Sequence, residues 1–156
     1  MKLVLLTVGA TAGEHLPALI ELYAARLRKL VPFELITLPG VPGAGKSAQI
    51  LREAEGEQIL AKLGPGDCPV LFDEHGREFT SPGLAEFVNK QMVAGPKRIV
   101  FIIGGAYGFS QSVYNRVPLR CSLSKLTFPH DLVRLIATEQ LYRAWSILHH
   151  LPYHHP

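Results

Sequence analysis

The sequence predicts an α/β domain with a mostly parallel sheet that is covered by helices on both faces. Short, continuously apolar segments alternate along the chain with longer segments in which apolar residues recur every three or four positions. The first pattern is typical of strands buried on both faces, and the second is typical of amphipathic helices. With 156 residues the chain is long enough for one domain with a sizeable core, and we expect residues 1–156 to form that domain.

The first part of the chain contains three strand segments, each followed by a helix segment. The first helix segment carries apolar residues on one face and is ended by Pro32, because proline cannot continue a helix. Gly64-Pro65-Gly66 ends the second, and Pro82 is tolerated in the first turn of the third. We predict strands at residues 2–8, 33–38 and 70–73, a Gly/Pro loop at 39–45, and helices at 14–30, 47–63 and 81–93.

The second part of the chain continues this alternation. An apolar strand runs into Gly104-Gly105, and Pro129 begins a long helix. The apolar surface of that helix is broad enough for either an internal core helix or a subunit interface, and we expect Trp145 to lie in the core. We predict strands at residues 98–103 and 120–123, and helices at 107–115 and 129–149.

The N-terminus and the cysteines bear on location. The opening residues resemble a secretory signal, but the apolar run Leu3–Val8 is shorter than the usual signal core of about 7–15 residues, so we interpret it as a buried strand. No apolar run approaches the roughly 18 residues that a membrane span needs. Cys68 and Cys121 are far apart and form no metal or redox motif. These features favour a reduced, cytoplasmic protein with no membrane association.

Charge is distributed unevenly along the chain. Residues 1–95 have a net charge of −2, whereas residues 96–156 have a net charge of +5 and five of the seven histidines. The basic part is either a solvated surface or a contact surface for a polyanion such as RNA. His149, His150, His154 and His155 lie near the C-terminus, but no carboxylate or cysteine accompanies them in the tail, so we expect no metal site.

One segment matches a nucleoside triphosphate-binding loop. Residues Gly40–Ser47 read GVPGAGKS, which fits the pattern G-x-x-x-x-G-K-[ST] between a predicted strand and a predicted helix. Lys46 would reach the terminal phosphates, Ser47 would bind magnesium, and Asp73 at the end of another strand would complete the metal site. Against this, Pro42 removes one of the backbone N–H groups that would hold phosphate. The alternative is a simple connector with Lys46 exposed to solvent.

Two further segments are typical of ligand-binding loops in α/β proteins. Residues 99–103 end in Gly104-Gly105-Ala106-Tyr107-Gly108, and ligands bind beyond the carboxyl ends of parallel strands. No G-x-G-x-x-G pattern is present. Residues 123–130 mix small polar and apolar side chains and suit a purine and a ribose. Thr127 is alternatively the N-cap of the long helix, and a tight turn alone would also account for the glycines.

Four segments together resemble one known family. FIIGGAYG (101–108), LSKLTFPH (123–130), EQLYRA (139–144) and PYH (152–154) are similar to the ribosomal RNA large-subunit methyltransferase H family, of the SPOUT class. The resemblance runs over the whole chain and is densest after residue 100. It implies a homodimer with a C-terminal trefoil knot. It also implies that a methyl group passes from S-adenosylmethionine to N3 of a pseudouridine in large-subunit (23S) rRNA of the assembled ribosome.

The resemblance also implies the cofactor positions, while position and chemistry suggest the catalytic and RNA-contacting residues. Because the methyl group is already activated, the protein must align the reacting atoms and help N3 lose its proton, by a base or by hydrogen bonds that favour the anion. His155 departs from the family, which often has Arg or Lys there, and suggests a weaker or pH-dependent RNA contact. The expected cofactor positions are Phe72, Gly104, Leu123, Ser124, Lys125, Leu126, Thr127 and Phe128. The expected catalytic residues are His130, Arg143, Tyr153 and His154, and the expected RNA contacts are Arg134, Arg143 and His155.

Two other functions remain open at this point. The first is a small nucleoside triphosphate-binding protein that uses Lys46 and Ser47, and the second is a non-catalytic ribosome-associated module that uses the basic part of the chain. Changing Lys46 to Ala separates the first from a methyltransferase, and any turnover of S-adenosylmethionine excludes the second.

Overall fold

The protein is described by a computed structural model that covers residues 1–156, and its centre is a five-stranded sheet. The strand order is β2-β1-β4-β3-β5, and every adjacent pair is parallel, which confirms the predicted sheet type. The strands are β1 (Lys2–Val8), β2 (Phe33–Leu38), β3 (Asp67–Glu78), β4 (Arg98–Ile103) and β5 (Arg120–Ser122). The helices are α1 (His15–Arg28), α2 (Ala48–Lys62), α3 (Ser81–Val93), α4 (Gln111–Arg116) and α5 (His130–Leu148).

Helices cover both faces of the sheet. Successive side chains of a strand point to opposite faces, so each strand contributes to two cores. Leu3 and Leu5 of β1 pack in a core with α1, α3 and α5. Val4 and Leu6 of the same strand pack on the other face in a second core with residues of α2 and α4. Both faces are therefore apolar, which explains why the strand segments are continuously apolar in the sequence. Trp145 is buried in the first core, as expected.

The third strand differs from its prediction. It runs over Asp67–Glu78, whereas its apolar pattern covers only residues 70–73. Cys121 of β5 is in register with both Phe72 and Arg77, so residues 73–76 form an arch over the backbone of β5. A Cβ on Gly76 would lie 2.7 Å from backbone atoms of Cys121, so this crossing requires glycine. The arch is polar in sequence and for that reason gives no strand pattern.

The fourth helix is shorter than predicted. It begins at Gln111 instead of residue 107, because Gly105–Gly108 forms a tight turn in which the Gly108 N–H donates to the Gly105 carbonyl at 3.1 Å. The N-cap is Ser110, whose hydroxyl accepts from the N–H of Val113. None of the five helices combines the length and the apolar character needed to cross a membrane. Both cysteines are free thiols.

Candidate active site

A cleft of about 650 Å³ lies at the carboxyl ends of β4 and β5, beside the arch of β3. Its walls come from three loops that follow or interrupt these strands, from the first turns of α5, and from one residue each of α2 and α4. The lining residues are Arg52, Phe72, Asp73, Glu74, His75, Ile103, Gly104, Gly105, Ala106, Tyr107, Gly108, Phe109, Tyr114, Ser122, Leu123, Ser124, Leu126, Thr127, Phe128, His130 and Val133.

The loop after β4 brings the backbone close to the cleft. A Cβ on Gly104 would lie 3.0 Å from the ring of Phe109, so a side chain at this position would displace that ring. A Cβ on Gly105 would meet the carboxylate of Glu55, whose Oε2 atom is buried without a hydrogen-bond partner. Burial raises the pKa of Glu55. The glycines in the sequence predicted a ligand-binding loop here. No pattern in the sequence indicated Glu55, because it belongs to α2, which is distant from this loop along the chain.

The loop after β5 supplies most of the positions assigned to a cofactor. Ser122 Oγ donates to the carbonyl of Ser124, and the N–H of Leu126 donates to Ser124 Oγ at 2.9 Å, so this loop is held by its own serines. Every position assigned to the cofactor lines the cleft except Lys125, whose side chain is 84% exposed and lies 3.8 Å from Glu78. Thr127 lines the cleft and does not cap α5, whose N-cap is Pro129.

A buried carboxylate fixes the arch beside the cleft. Asp73 accepts a hydrogen bond from the hydroxyl of Tyr114 at 2.5 Å and from the backbone N–H of His75 at 2.8 Å. Burial opposes ionisation of Asp73, but these hydrogen bonds outweigh it and hold its pKa below the usual range. Burial, together with the bond to Asp73, raises the pKa of Tyr114 to about 12. Sequence reasoning missed Tyr114, which has no pattern linking it to residue 73.

The first turns of α5 place His130 in the cleft and bury Arg134 behind it. Arg134 is only 2% exposed, and its guanidinium donates to the carbonyls of Val8 and Gly9 and to the hydroxyl of Thr11. Its Nη2 atom also lies 2.5 Å from Nε2 of His130. The burial and the three hydrogen bonds of Arg134 argue against the predicted RNA contact, because the guanidinium is not accessible to a phosphate in this structure. The distribution of charged residues along the sequence does not show that Arg134 is buried.

The remaining predicted catalytic residues form a separate cluster near the other end of α5. Glu139 Oε1 accepts from Arg143 Nη2 at 2.6 Å and from the Tyr153 hydroxyl at 2.8 Å. Arg143 Nη1 lies 3.4 Å from Nδ1 of His154. The predicted pairing of Glu139 with Arg143 is confirmed. Arg143 follows His130 by 13 residues, so it lies about 20 Å farther along the helix axis.

The C-terminal cluster therefore does not reach the cleft of its own chain. None of Glu139, Arg143, Tyr153 or His154 lines that cleft. His155 is exposed at the chain end. No group of three or more histidine, cysteine, aspartate and glutamate side chains has the geometry for a metal ion.

The segment Gly40–Ser47 is exposed except for the half-buried Val41, and it does not line the cleft. Ser47 is the N-cap of α2, and its hydroxyl accepts from the N–H of Ile50 at 3.3 Å. The segment follows the edge strand β2, and two strands separate β2 from β3, a distance of about 14 Å at the usual strand spacing. Asp73 is also engaged by Tyr114. Ser47 caps α2 and Asp73 is held by Tyr114, so the structure shows no arrangement of the two around a magnesium ion and gives the phosphate-loop interpretation no metal site.

Comparison with known proteins decides the family. A family model described as "Predicted SPOUT methyltransferase" matches residues 1–154. The chain belongs to the SPOUT methyltransferase family. This SPOUT methyltransferase is 47% identical over 156 residues to "Ribosomal RNA large subunit methyltransferase H" of Porphyromonas gingivalis, and the match covers 99% of both chains. Proteins of the same name from Parabacteroides distasonis and Bacteroides thetaiotaomicron are 44% and 43% identical over 156 residues, again covering 99% of both chains.

The family membership confirms the resemblance found in the sequence and makes the chain a methyltransferase. The matches span the β4 loop, the β5 loop and all but the last residues of the tail. A triphosphate-binding function is not supported by any of these relatives, and the GVPGAGKS segment of this SPOUT methyltransferase is an exposed connector that leads into a capped helix.

Proposed function

We propose that this enzyme transfers a methyl group from S-adenosylmethionine to N3 of a pseudouridine in large-subunit (23S) rRNA of the assembled ribosome. The observation that carries the proposal is the full-length similarity to proteins named for large-subunit ribosomal RNA methylation. The choice of pseudouridine and of its N3 atom rests on the resemblance to that family. A cytoplasmic location follows from the same substrate.

The cleft fits the proposed cofactor. Its volume of about 650 Å³ lies within the usual range of about 300–1,000 Å³ for small-molecule sites. Phe72, Leu123 and Val133 give apolar walls, while Gly104 and the serine-held loop after β5 offer backbone groups at close range. When bound, S-adenosylmethionine supplies an electrophilic methyl group. Phe72 and Gly104, with Leu123–Phe128, would hold and orient it, and the side chain of Lys125 would stay outside the cleft.

The protein must then place N3 in line with that methyl group and stabilise N3 without its proton. Burial raises the pKa of Tyr153, and hydrogen bonds involving Tyr23 and Glu139 raise it further. Tyr153 therefore stays protonated and acts as a hydrogen-bond donor, not as the base. Because a guanidinium only donates, Arg143 makes Nδ1 of His154 an acceptor and leaves the hydrogen on Nε2. In that tautomer His154 can donate to an imide oxygen beside N3 and favour the N3 anion.

A homodimer would bring this cluster to a cleft. Tyr153 and His154 are far from the cleft of their own chain, so we propose that they complete the cleft of a partner protomer. His130 would then act from the chain that holds the cofactor, and the tail residues from the other. Exposed Leu19 and Leu22 on α1, which packs against α5, give an apolar surface for this contact. Arg143 would lie with the tail at this contact between the protomers, and His155 would extend the tail towards RNA.

We also propose that the chain is knotted as the resemblance implies. The arch of residues 73–76 crosses over β5, and Gly76 touches the backbone of Cys121 at that crossing. β5 leads directly into the loop at 123–128 and then into α5. A trefoil knot requires one part of the chain to be threaded through a loop formed by another, which is rare, and we propose that the threading occurs near this crossing.

The direct test is transfer of radiolabelled methyl from S-adenosylmethionine to ribosomes that lack the modification. We expect label at one pseudouridine, and calorimetry should detect binding of S-adenosylmethionine but not of magnesium-ATP. Replacing both Tyr153 and His154 with Ala should abolish transfer and leave cofactor affinity nearly unchanged. Absence of label in ribosomal RNA with the wild-type enzyme would overturn the proposed substrate, and equal loss of transfer and affinity would overturn the separate role of the tail.

A further inference from the structure

Two exposed apolar side chains stand at the mouth of the cleft. Tyr107 is 53% exposed and Leu126 is 73% exposed, and both line the cleft. Tyr107 is carried by the Gly105–Gly108 turn, which is closed by its backbone hydrogen bond and by a bridge between the two glycines. The ring is therefore presented to solvent from a defined turn, which limits the entropy lost when something stacks on it.

Three cations from different elements lie in the cleft or next to residues that line it. Arg52 of α2 lines it, and the guanidinium of Arg120 at the start of β5 lies 4.4 Å from the ring centre of Tyr114, another lining residue. Lys125 belongs to the loop after β5, and its contact with Glu78 is solvent-exposed and therefore weak. Arg120 and Lys125 are exposed and Arg52 is half-buried, in contrast to Arg134, which is buried.

We propose that this mouth is the docking surface for the RNA strand next to the target nucleoside, and the proposal rests on the proposed function. Tyr107 stacks on a flanking nucleobase with Leu126 beside it, and Arg52, Arg120 and Lys125 contact phosphates. Cations along a groove with an exposed aromatic ring are the combination that binds single-stranded nucleic acid.

Acidic groups near the mouth reduce the electrostatic contribution to RNA binding relative to the contribution of stacking. The exposed carboxylates of Glu74 and Glu78 border the same mouth. The net charge of this surface is therefore small, and we expect stacking by Tyr107 to contribute a large share of the affinity. This differs from a purely basic patch, whose binding would depend mainly on salt.

Tyr107 is tested by comparing Tyr107→Ala and Tyr107→Phe with unmodified ribosomes as substrate. Loss of one stacked base costs about 1–3 kcal/mol, so Tyr107→Ala should raise the KM for ribosomes by about 5- to 150-fold. Tyr107→Phe keeps the ring and should stay within about 2-fold of wild type. The dissociation constant of S-adenosylmethionine, measured by calorimetry, should not change. An unchanged KM in Tyr107→Ala would overturn the proposal, and so would a matching loss of cofactor affinity, which would make Tyr107 a wall of the cofactor site.

The cations are tested by the salt dependence of binding to a fluorescein-labelled single-stranded RNA. Replacing Arg52, Arg120 or Lys125 with Ala should each reduce the slope of log K against log salt by about 0.7, the value for one phosphate contact on a single strand. Lys90→Ala is the control, because Lys90 is exposed, does not line the cleft, and lies at the end of α3 that leads to the amino end of β4. Equal slopes in all variants would overturn the phosphate contacts. RNA binding without methyl transfer would instead overturn the proposed function and leave the docking surface standing.

Discussion

Replacing Glu139 with Gln should release the C-terminal tail from α5 and slow methyl transfer. Glu139 Oε1 accepts from Arg143 Nε at 3.0 Å, from Arg143 Nη2 at 2.6 Å and from the Tyr153 hydroxyl at 2.8 Å. The Arg143 guanidinium also lies 4.8 Å from the ring centre of Tyr153. One carboxylate thus connects the helix to the tail, and through Arg143 it also fixes the position of His154.

The expected size of the effect follows from these contacts. A hydrogen bond to a charged group contributes about 1.5–3 kcal/mol, against about 0.5–1.5 kcal/mol for a neutral one. Gln keeps one acceptor oxygen at residue 139, so the bond to Tyr153 is weakened rather than removed, by about 1–1.5 kcal/mol. If the ordered tail is needed for transfer, kcat should fall by about 5- to 12-fold, since about 1.4 kcal/mol is a factor of ten.

The assay compares kcat on ribosomes with the calorimetric affinity for S-adenosylmethionine. Glu139→Gln should lower kcat and leave cofactor affinity unchanged, because Glu139 does not line the cleft and lies nine residues, or about 14 Å along α5, from His130. Glu57→Gln is the matched control, since Glu57 is exposed on α2 and has no hydrogen-bond partner in the structure. The double variant with Tyr153→Phe should lose less activity than the product of the two single losses, because the two residues share the bond between Tyr153 and Glu139. Additive losses would refute this reasoning, as would a parallel fall in cofactor affinity.

Three further outcomes are expected. Lys46→Ala should leave methyl transfer within about 2-fold of wild type in the radiolabel assay, because Lys46 is exposed and outside the cleft; a larger loss would make it an RNA contact. Arg134→Met should lower the thermal midpoint by leaving the Val8 and Gly9 carbonyls unpaired, at about 1–3 kcal/mol each, with no change in the salt slope of RNA binding. Burial, together with the charge of Arg134, lowers the pKa of His130 below its ordinary value of 6.5. The folded protein therefore favours neutral His130. The resulting stability is present above pH 6.5 and is lost as the pH falls below it. The thermal midpoint should therefore fall more in wild type than in His130→Gln between pH 7 and about pH 5, and equal falls would contradict it.

The sequence by itself determined the elements and the location of the cleft. Every predicted strand and helix is present, because hydrophobic periodicity, proline and glycine act over a few residues. The glycines after β4 and the mixed polar and apolar loop after β5 were recognisable from composition, and the parallel sheet brings both to one edge. The four motif segments also sufficed to identify the family.

Tertiary structure decided which side chains are exposed to a ligand and which are buried. The sequence analysis placed Arg134 among the RNA contacts and Lys125 among the cofactor positions, yet Arg134 is buried against the end of β1 and the side chain of Lys125 is exposed outside the cleft. The arch over β5, the bond between Asp73 and Tyr114, and the distance of Tyr153 from the cleft depend on contacts between residues far apart in the chain. Local patterns contain no information on such contacts, because burial and hydrogen-bond partners are set by how distant elements pack.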